Sequence, residues 1–213
     1  MNVEIWSDIV CPWCYIGKRR FEAALARFAH RDKVEVVWRS FELDPTAPLR
    51  SPGTLNDLLA RKYGQSVEQA AANHARLTAL AAEEGLEYHF DRAQHGNTFD
   101  AHRLTHLAAA YGLQDVVEER LMHAYLTEGL AIGDAETLAR IAAEAGMDAH
   151  EARGVLAGDQ YAEAVRADEQ RAAGFGIRGV PFVVIDEAYG VSGAQPAEVF
   201  LDTLERAWAA REG

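Results

Sequence analysis

Apolar residues near both ends of the chain form short runs of the kind found in buried strands. Residues 3–6 are β-prone, residues 33–41 are rich in β-branched and aromatic side chains, and residues 180–185 form a third apolar run. Between the first two runs, apolar positions recur at helical spacing as far as about residue 30, at Ile16, Phe21, Leu25 and Phe28. The N-terminal segment therefore predicts a strand–helix–strand unit, which needs a right-handed crossover and a covered sheet.

The pattern changes between residues 46 and 160, where alanine-rich helical segments follow one another and no strand pattern occurs. Local signals predict where these helices begin and end. They are the capping boxes Ser66/Gln69 and Asp148/Glu151, the N-cap Asp134, and the terminal glycines Gly85, Gly112, Gly129 and Gly146. A helical block of this length exceeds what a crossover between parallel strands needs. It predicts an all-helical insertion at residues 46–160 in an α/β domain built from residues 1–45 and 161–213.

The C-terminal segment completes the α/β domain. The sequence predicts a helix at residues 161–173, the strand at 180–185, a turn at Asp186-Glu187 and a short strand at 188–191. A final helix should begin near Pro196, because proline suits the first helical turn. The predicted order is β-α-β, helical insertion, α-β-β-α.

Charge and composition restrict the partners that this chain can have. The 213 residues include 21 Lys and Arg against 33 Asp and Glu, a formal net charge of −12. A chain this acidic repels phosphate backbones, so nucleic acid is not an expected partner. No run approaches the roughly 18 apolar residues of a membrane span, and the first strand begins without a basic, apolar leader. We therefore expect no membrane association and a cytoplasmic location.

The candidate chemistry lies in the chain's two cysteines, Cys11 and Cys14, between the first strand and the first helix. Residues three apart in a helical turn have β-carbons about 5–6 Å apart, so a small adjustment permits a disulfide. The helix N-terminus favours a thiolate, which is the attacking species. The pattern predicts Cys11 as an exposed nucleophile and Cys14 as a more buried resolving thiol. Pro12 suits the first turn because it has no N–H to lose, and Trp13 is an expected substrate contact.

Pro181 is the second candidate, because proline cannot donate a hydrogen bond to a strand ladder. The Val180–Pro181 peptide bond could be cis and face the cysteines, with the backbone of Val180 pairing with an extended substrate. The alternative is a trans proline at a strand edge.

Three polar residues in the insertion have two interpretations. Asn97, Thr98 and His102 could line a cleft facing the cysteines, or Asn97 or Thr98 could simply cap the following helix. His102 and His106 are four apart, but two ligands without a third do not define a metal site, so no metal is expected.

Several segments resemble the DsbA family of thioredoxin-fold proteins, in its cytoplasmic FrnE-like branch. The most specific is residues 7–17, Ser-Asp-Ile-Val-Cys-Pro-Trp-Cys-Tyr-Ile-Gly, and residues 41–45, 97–103, 179–181 and 191–195 are also similar. The resemblance covers nearly the whole chain and implies a thioredoxin-like fold with a large helical insertion. It implies thiol–disulfide exchange through a mixed disulfide, in which Cys11 attacks, Cys14 resolves and a cis-Pro181 lies beside them.

The resemblance also suggests the substrates and partners. They are disulfide-containing proteins or small-molecule disulfides, with an unidentified reducing or oxidising partner. No cofactor is expected beyond the redox-active disulfide itself, with glutathione a candidate co-substrate. Family members often carry a buried acid in the first strand for proton handling. Here Ile5 occupies that position, with Glu4 beside it and Asp8 as a weak substitute.

Two other functions remain open. The 2-hydroxychromene-2-carboxylate isomerases and kappa-class glutathione transferases share the fold but usually carry serine where Cys11 stands, and they use bound glutathione. In a redox-switched binding or chaperone module, the redox state of the two cysteines would control binding.

Overall fold

A computed structural model describes residues 1–212, and the chain forms two compact units within it. The first unit contains Met1–Leu43 and the chain from Val165 onward, and the second is Asp44–Ala164. No helix in the described part of the chain is both long enough and apolar enough to cross a membrane.

The first unit contains a four-stranded mixed sheet. The strands are β1 (Asn2–Ser7), β2 (Glu35–Ser40), β3 (Phe182–Ile185) and β4 (Tyr189–Ser192), in the order β2-β1-β3-β4. Strand β1 is parallel to β2 and antiparallel to β3, and β3 is antiparallel to β4. Its helices are α1 (Pro12–Arg27), α8 (Ala162–Gly174) and α9 (Ala197–Glu212). The predicted α/β class with a helical insertion is confirmed.

The second unit is helical over its regular segments. Its helices are α2 (Leu55–Tyr63), α3 (Val67–Glu83), α4 (Phe99–Ala109), α5 (Gln114–His123), α6 (Ala135–Glu144) and α7 (Ala149–Ala157). A π-helical turn, Ala124–Glu128, extends α5 to Gly129. The strands of residues 1–212 all lie outside this unit.

Most predicted helix signals operate as expected, with two differences. Helix α2 was not predicted, although Thr54 and Asp57 form a complete capping box at its start. The predicted box at Asp148 is half formed: its carboxylate caps α7, while the Glu151 side chain accepts a hydrogen bond from the Tyr111 hydroxyl. A tertiary partner has therefore replaced the local one.

Alternation along β1 separates the two faces of the sheet. Val3 and Ile5 pack with α1 and α9, where Phe21 and Phe200 meet edge to face at 5.9 Å between ring centroids. Trp6 packs on the opposite face with residues of and after α8. Because successive strand residues point to opposite faces, Glu4 lies on the Trp6 side, away from α1.

Glu4 is buried and ion-paired on that side. Its carboxylate Oε1 accepts a hydrogen bond from Arg39 Nε at 2.8 Å, and its Oε2 accepts one from Arg171 Nη2 at 2.7 Å. Burial by itself would raise the pKa of Glu4. The hydrogen bonds and charges of Arg171 and Arg39 outweigh burial and hold the pKa below its usual value of 4.5.

Replacing Glu4 with glutamine should lower the free energy of unfolding by about 2–3 kcal/mol, since two partly buried arginines each lose one of their two carboxylate partners. The depressed pKa means that the stabilisation is complete above the unfolded-state value and is lost as pH falls through the folded-state value. Urea denaturation should therefore show a difference between wild type and Glu4→Gln that shrinks below pH ~4.5. Glu35→Gln, at an exposed position on β2, is the control. Equal stability of both variants would contradict this role for Glu4.

Candidate active site

Both cysteines are held by the turn that joins β1 to α1. Cys11 is the N-cap residue of α1, with an extended backbone (φ −85°, ψ 111°), and Pro12 is the first helical residue. The Cys11 N–H donates to the Asp8 carbonyl at 3.0 Å, and the Cys14 N–H donates to the Cys11 carbonyl at 3.0 Å. Both thiols are free. The turn thus presents two thiols at the N-terminal end of one helix.

The expectation that Cys11 is exposed is wrong. Cys11 is 4% exposed and Cys14 is 1% exposed, so both are buried, although Cys14 is the deeper of the two as expected. The Cys11 thiol donates to the Val180 carbonyl, with 3.7 Å between sulfur and oxygen, so the loop before β3 helps to cover it. Trp13 is 37% exposed. The exposed side chain of this motif is therefore the Trp13 indole and not the Cys11 thiol.

The Val180–Pro181 peptide bond is cis, as the resemblance implied. The strand predicted at residues 180–185 begins only at Phe182. Val180 lies outside it and directs its carbonyl to Cys11, and Pro181 has no N–H for the ladder. The Pro181 carbonyl accepts a hydrogen bond from the Gly193 N–H at 2.8 Å. The segment after β4, which contributes to the family resemblance, therefore anchors the loop beside Cys11.

Gly17 sets how closely α1 approaches that loop. A β-carbon at Gly17 would lie 3.0 Å from Pro181 Cγ and 3.5 Å from Ala194 Cβ. One turn further along α1, Arg20 Nη1 donates to the Ala194 carbonyl at 2.8 Å. Gly17 is not among the site residues predicted from the sequence, because a glycine has no side chain that reacts or binds. The available signal was its position inside a helix, where glycine costs about 0.5–1 kcal/mol and so indicates a close approach.

The surroundings of Cys14 suit a thiol that stays protonated. Burial, followed by the hydrogen bond and charge of Cys11, raises the pKa of Cys14 well above its usual value of 9.0. The Asp8 backbone and the Ser7 hydroxyl act in the opposite direction and lower the pKa of Cys14. Ser7 is the buried last residue of β1. Cys14 therefore remains a thiol at neutral pH until a group nearby takes its proton.

The acidic residues near the motif are arranged differently from the family pattern. Ile5, at the position of the family's buried acid, packs with the apolar residues facing α1. Glu4 faces the other side of the sheet, in its ion pairs with Arg39 and Arg171. Asp8 is buried, and its Oδ2 accepts a hydrogen bond from the Leu43 N–H at 2.8 Å. Because Glu4 and Ile5 point to opposite faces of the sheet, the Glu4 carboxylate does not face Cys14 and is excluded from proton transfer there.

The three candidate residues of the insertion lie at the start of α4. The Asn97 side chain accepts a hydrogen bond from the Phe99 N–H at 2.9 Å, while the Thr98 side chain makes no cap bond. Thr98 and His102 are buried. Capping by Asn97 agrees with one of the two interpretations, and a role in a cleft stays a prediction. Residues 1–212 contain no group of three His, Cys, Asp or Glu side chains arranged to hold a metal ion.

Comparisons with known proteins agree with this geometry. A family model described as "DSBA-like thioredoxin domain" matches residues 2–205. The uncharacterized protein YwbO of Bacillus subtilis (strain 168) is 29% identical over 203 residues, which is 94% of each chain. A probable DsbA oxidoreductase from Streptomyces coelicolor has 52% identity and a TM-score of 0.94, covering 98% of this chain and 90% of that one.

A more distant structure shares the fold alone. The cytosolic disulfide reductase DsbM from Pseudomonas aeruginosa, solved with GSH, has 17% identity and a TM-score of 0.67. The match covers 97% of this chain and 100% of that one.

Replacing Gly17 with alanine should lower the free energy of unfolding by about 1–3 kcal/mol, because the new methyl group would press on the Pro181 ring. The matched control is Gly154→Ala in α7, where an added β-carbon would meet nothing within 4 Å. That substitution should be neutral or stabilising by up to ~1 kcal/mol through helix propensity. Denaturant titration measures both. Identical effects of the two substitutions would show that the contact between Gly17 and Pro181 does not matter.

Removing the Ser7 hydroxyl should raise the pKa of Cys14 further, since that hydroxyl opposes the effect of burial. The comparison is made in a Cys11→Ser background, so that the ultraviolet absorbance of the thiolate reports Cys14 alone as pH is raised. Ser7→Thr keeps a hydroxyl and should restore the titration. An unchanged titration in Ser7→Ala would mean that Ser7 does not stabilise the Cys14 thiolate.

Proposed function

The chain belongs to the DSBA-like thioredoxin domain family, and on that basis we propose that it is a thiol–disulfide oxidoreductase working through Cys11 and Cys14. One observation carries the proposal. The chain's two cysteines share the first turn of α1, and the outer one contacts the carbonyl that precedes cis-Pro181.

The proposed reduction of a substrate disulfide takes two displacements. The Cys11 thiolate attacks one substrate sulfur, the substrate S–S bond breaks, and the departing half leaves as a thiolate that takes a proton from water. Cys14 then loses its proton and attacks Cys11 Sγ. This second displacement forms the Cys11–Cys14 disulfide and releases the other substrate half as a thiol. Two electrons have then passed from the protein dithiol to the substrate, and a thiol such as glutathione or a dithiol protein restores Cys11 and Cys14. Oxidation of a substrate dithiol is the reverse sequence.

The Cys11 and Cys14 sulfurs have different environments. This difference supports the proposed roles of Cys11 as the attacking thiol and Cys14 as the resolving thiol. Cys11 is the N-cap residue of α1, next to the unpaired N–H groups of the first helical turn. The raised pKa of Cys14 keeps it protonated and so prevents it from competing for the substrate. Once a mixed disulfide forms, Cys11 no longer carries a charge that opposes deprotonation of Cys14. The first displacement therefore makes the second one easier.

The groups around the sulfurs have separate proposed roles. Pro12 starts α1 and so places the helix N-terminus beneath Cys11, while the exposed Trp13 offers an apolar surface to the substrate. Val180 and Pro181 present backbone to an extended substrate segment. The cytoplasmic location and the FrnE-like branch stay predictions.

The alternative functions are less well supported. A glutathione-dependent isomerase or transferase needs no second thiol at the helix start, whereas here Cys14 is buried in the first turn of α1. A redox-switched binding module would need the disulfide but no turnover. Substitution of each cysteine separates the three functions.

Cys11→Ser should reduce catalysed reduction of insulin disulfides to the uncatalysed background, because the sequence contains no other cysteine besides Cys14. Cys14→Ser should still attack but should accumulate a mixed disulfide between Cys11 and the substrate, detected by mass spectrometry under non-reducing conditions. Retention of the full rate by Cys11→Ser would refute the proposal. Unimpaired glutathione-dependent turnover of a 2-hydroxychromene substrate by Cys14→Ser would instead support the isomerase function.

A further inference from the structure

A groove in the first unit includes Val180, the residue that the Cys11 thiol contacts. It has a volume of about 430 Å³ and is lined by residues 178–182 together with Gly176, Ser192 and Gly193. Val180 links the groove to the sulfur, because the same residue lines the groove and accepts the Cys11 hydrogen bond. Binding sites for small ligands usually fall in this range of volume. A group bound here would therefore contact the residue whose carbonyl accepts the hydrogen bond of the Cys11 thiol.

The loop that lines the groove presents unused hydrogen-bond donors. Within residues 1–212, the backbone N–H groups of Arg178, Gly179 and Val180 donate to no protein acceptor. They lie between the end of α8 and the start of β3, so neither a helix nor the sheet uses them. Three consecutive donors on one loop can bind carbonyl or carboxylate oxygens of a ligand.

Arg178 adds a positive charge to the same wall. Its side chain is exposed, and across residues 1–212 no carboxylate forms an ion pair with it. Other arginines of this unit are neutralised: Arg39 pairs with Glu4, and Arg166 pairs with Glu42. In a chain of net charge −12, an uncompensated cation on a groove wall favours anionic ligands and disfavours cationic ones.

We propose that Arg178 is a specificity-determining residue that makes this groove select disulfide substrates carrying a carboxylate close to the half-cystine. The inference rests on the proposed exchange reaction at Cys11 and names its substrate class. The carboxylate lies against the Arg178 guanidinium and the free N–H groups of the loop, which brings the substrate sulfur to Cys11. The chemical step is unchanged. Two electrons from the Cys11–Cys14 dithiol reduce the substrate disulfide to two thiols, and Cys11 and Cys14 become a disulfide.

The test is a single-turnover reaction, so that the protein dithiol is the sole reductant. Reduced protein is mixed with disulfide peptides that are identical except for Glu, Gln or Lys beside the half-cystine. The formation of the Cys11–Cys14 disulfide is followed by acid quench, alkylation and mass spectrometry. Glutathione disulfide and cystamine form a second pair, anionic and cationic, which separates small-molecule substrates from peptides. The measured quantity is the ratio of the anionic to the cationic rate within each pair.

The wild type should prefer the Glu peptide to the Lys peptide, and R178Q should lower that ratio about three- to fivefold, as expected for one solvent-exposed charge pair. R178E should reverse the preference. Raising the salt concentration should weaken the wild-type preference by screening. If R178Q loses the preference for glutathione disulfide over cystamine but keeps the preference for the Glu peptide, the groove binds small molecules. If R178Q loses only the preference for the Glu peptide, the groove binds acidic segments of proteins.

Lys33→Gln is the matched control, because it removes the same charge from the same unit. The Met1 amino group donates to the Lys33 carbonyl, so Lys33 lies at the end of β1 remote from Cys11. Its variant should keep the wild-type ratio. An R178E ratio equal to the wild-type ratio, or an equal change in Lys33→Gln, would overturn the inference while leaving the proposed function intact. Absence of exchange with every substrate in the wild type would instead refute the proposed function.

Discussion

The close approach of α1 to the Pro181 loop is the constraint on which the candidate site depends. At Gly17 the helix backbone lies so near the Pro181 ring that a β-carbon would be 3.0 Å from Cγ. That approach brings the start of α1 against the loop, so that the Cys11 thiol meets the Val180 carbonyl. The same loop helps to cover Cys11, which is 4% exposed. The approach of α1 to the Pro181 loop therefore both positions the Cys11 thiol and limits its exposure.

The sheet divides the polar chemistry of the first unit between its two faces. Strand alternation places Glu4 and Trp6 on the α8 side and Ile5 on the α1 side. The buried carboxylate of Glu4 is consequently held by arginines and serves stability, while Cys14 is buried and is influenced by Cys11, Ser7 and Asp8. Burial then dominates the pKa of Cys14. Strand β1 therefore lies between the ion pairs of Glu4 and the two cysteine thiols.

Local signals predicted the elements more successfully than the contacts between them. The strands, the cap at Ser66 and the helix start at Pro12 were predicted, because each depends on residues within one turn or one run. Helix α2 was missed although its signal, the Thr54/Asp57 box, is equally local. The exposure of Cys11 was predicted wrongly for a different reason. The group that covers it, Val180, is 169 residues away along the chain.

By itself, the sequence determined the α/β class, the helical insertion and the pair of cysteines at a helix start, since periodicity, capping and spacing act between near neighbours. Only the tertiary structure decided which carbonyl contacts Cys11, that Gly17 receives the Pro181 ring, and that Glu4 faces away from the thiols. It also placed Arg178 and Val180 on the wall of one groove. These properties depend on how distant segments pack and on which face of the sheet a residue occupies. The absence of a side chain at Gly17 matters only because the distant Pro181 loop packs against it.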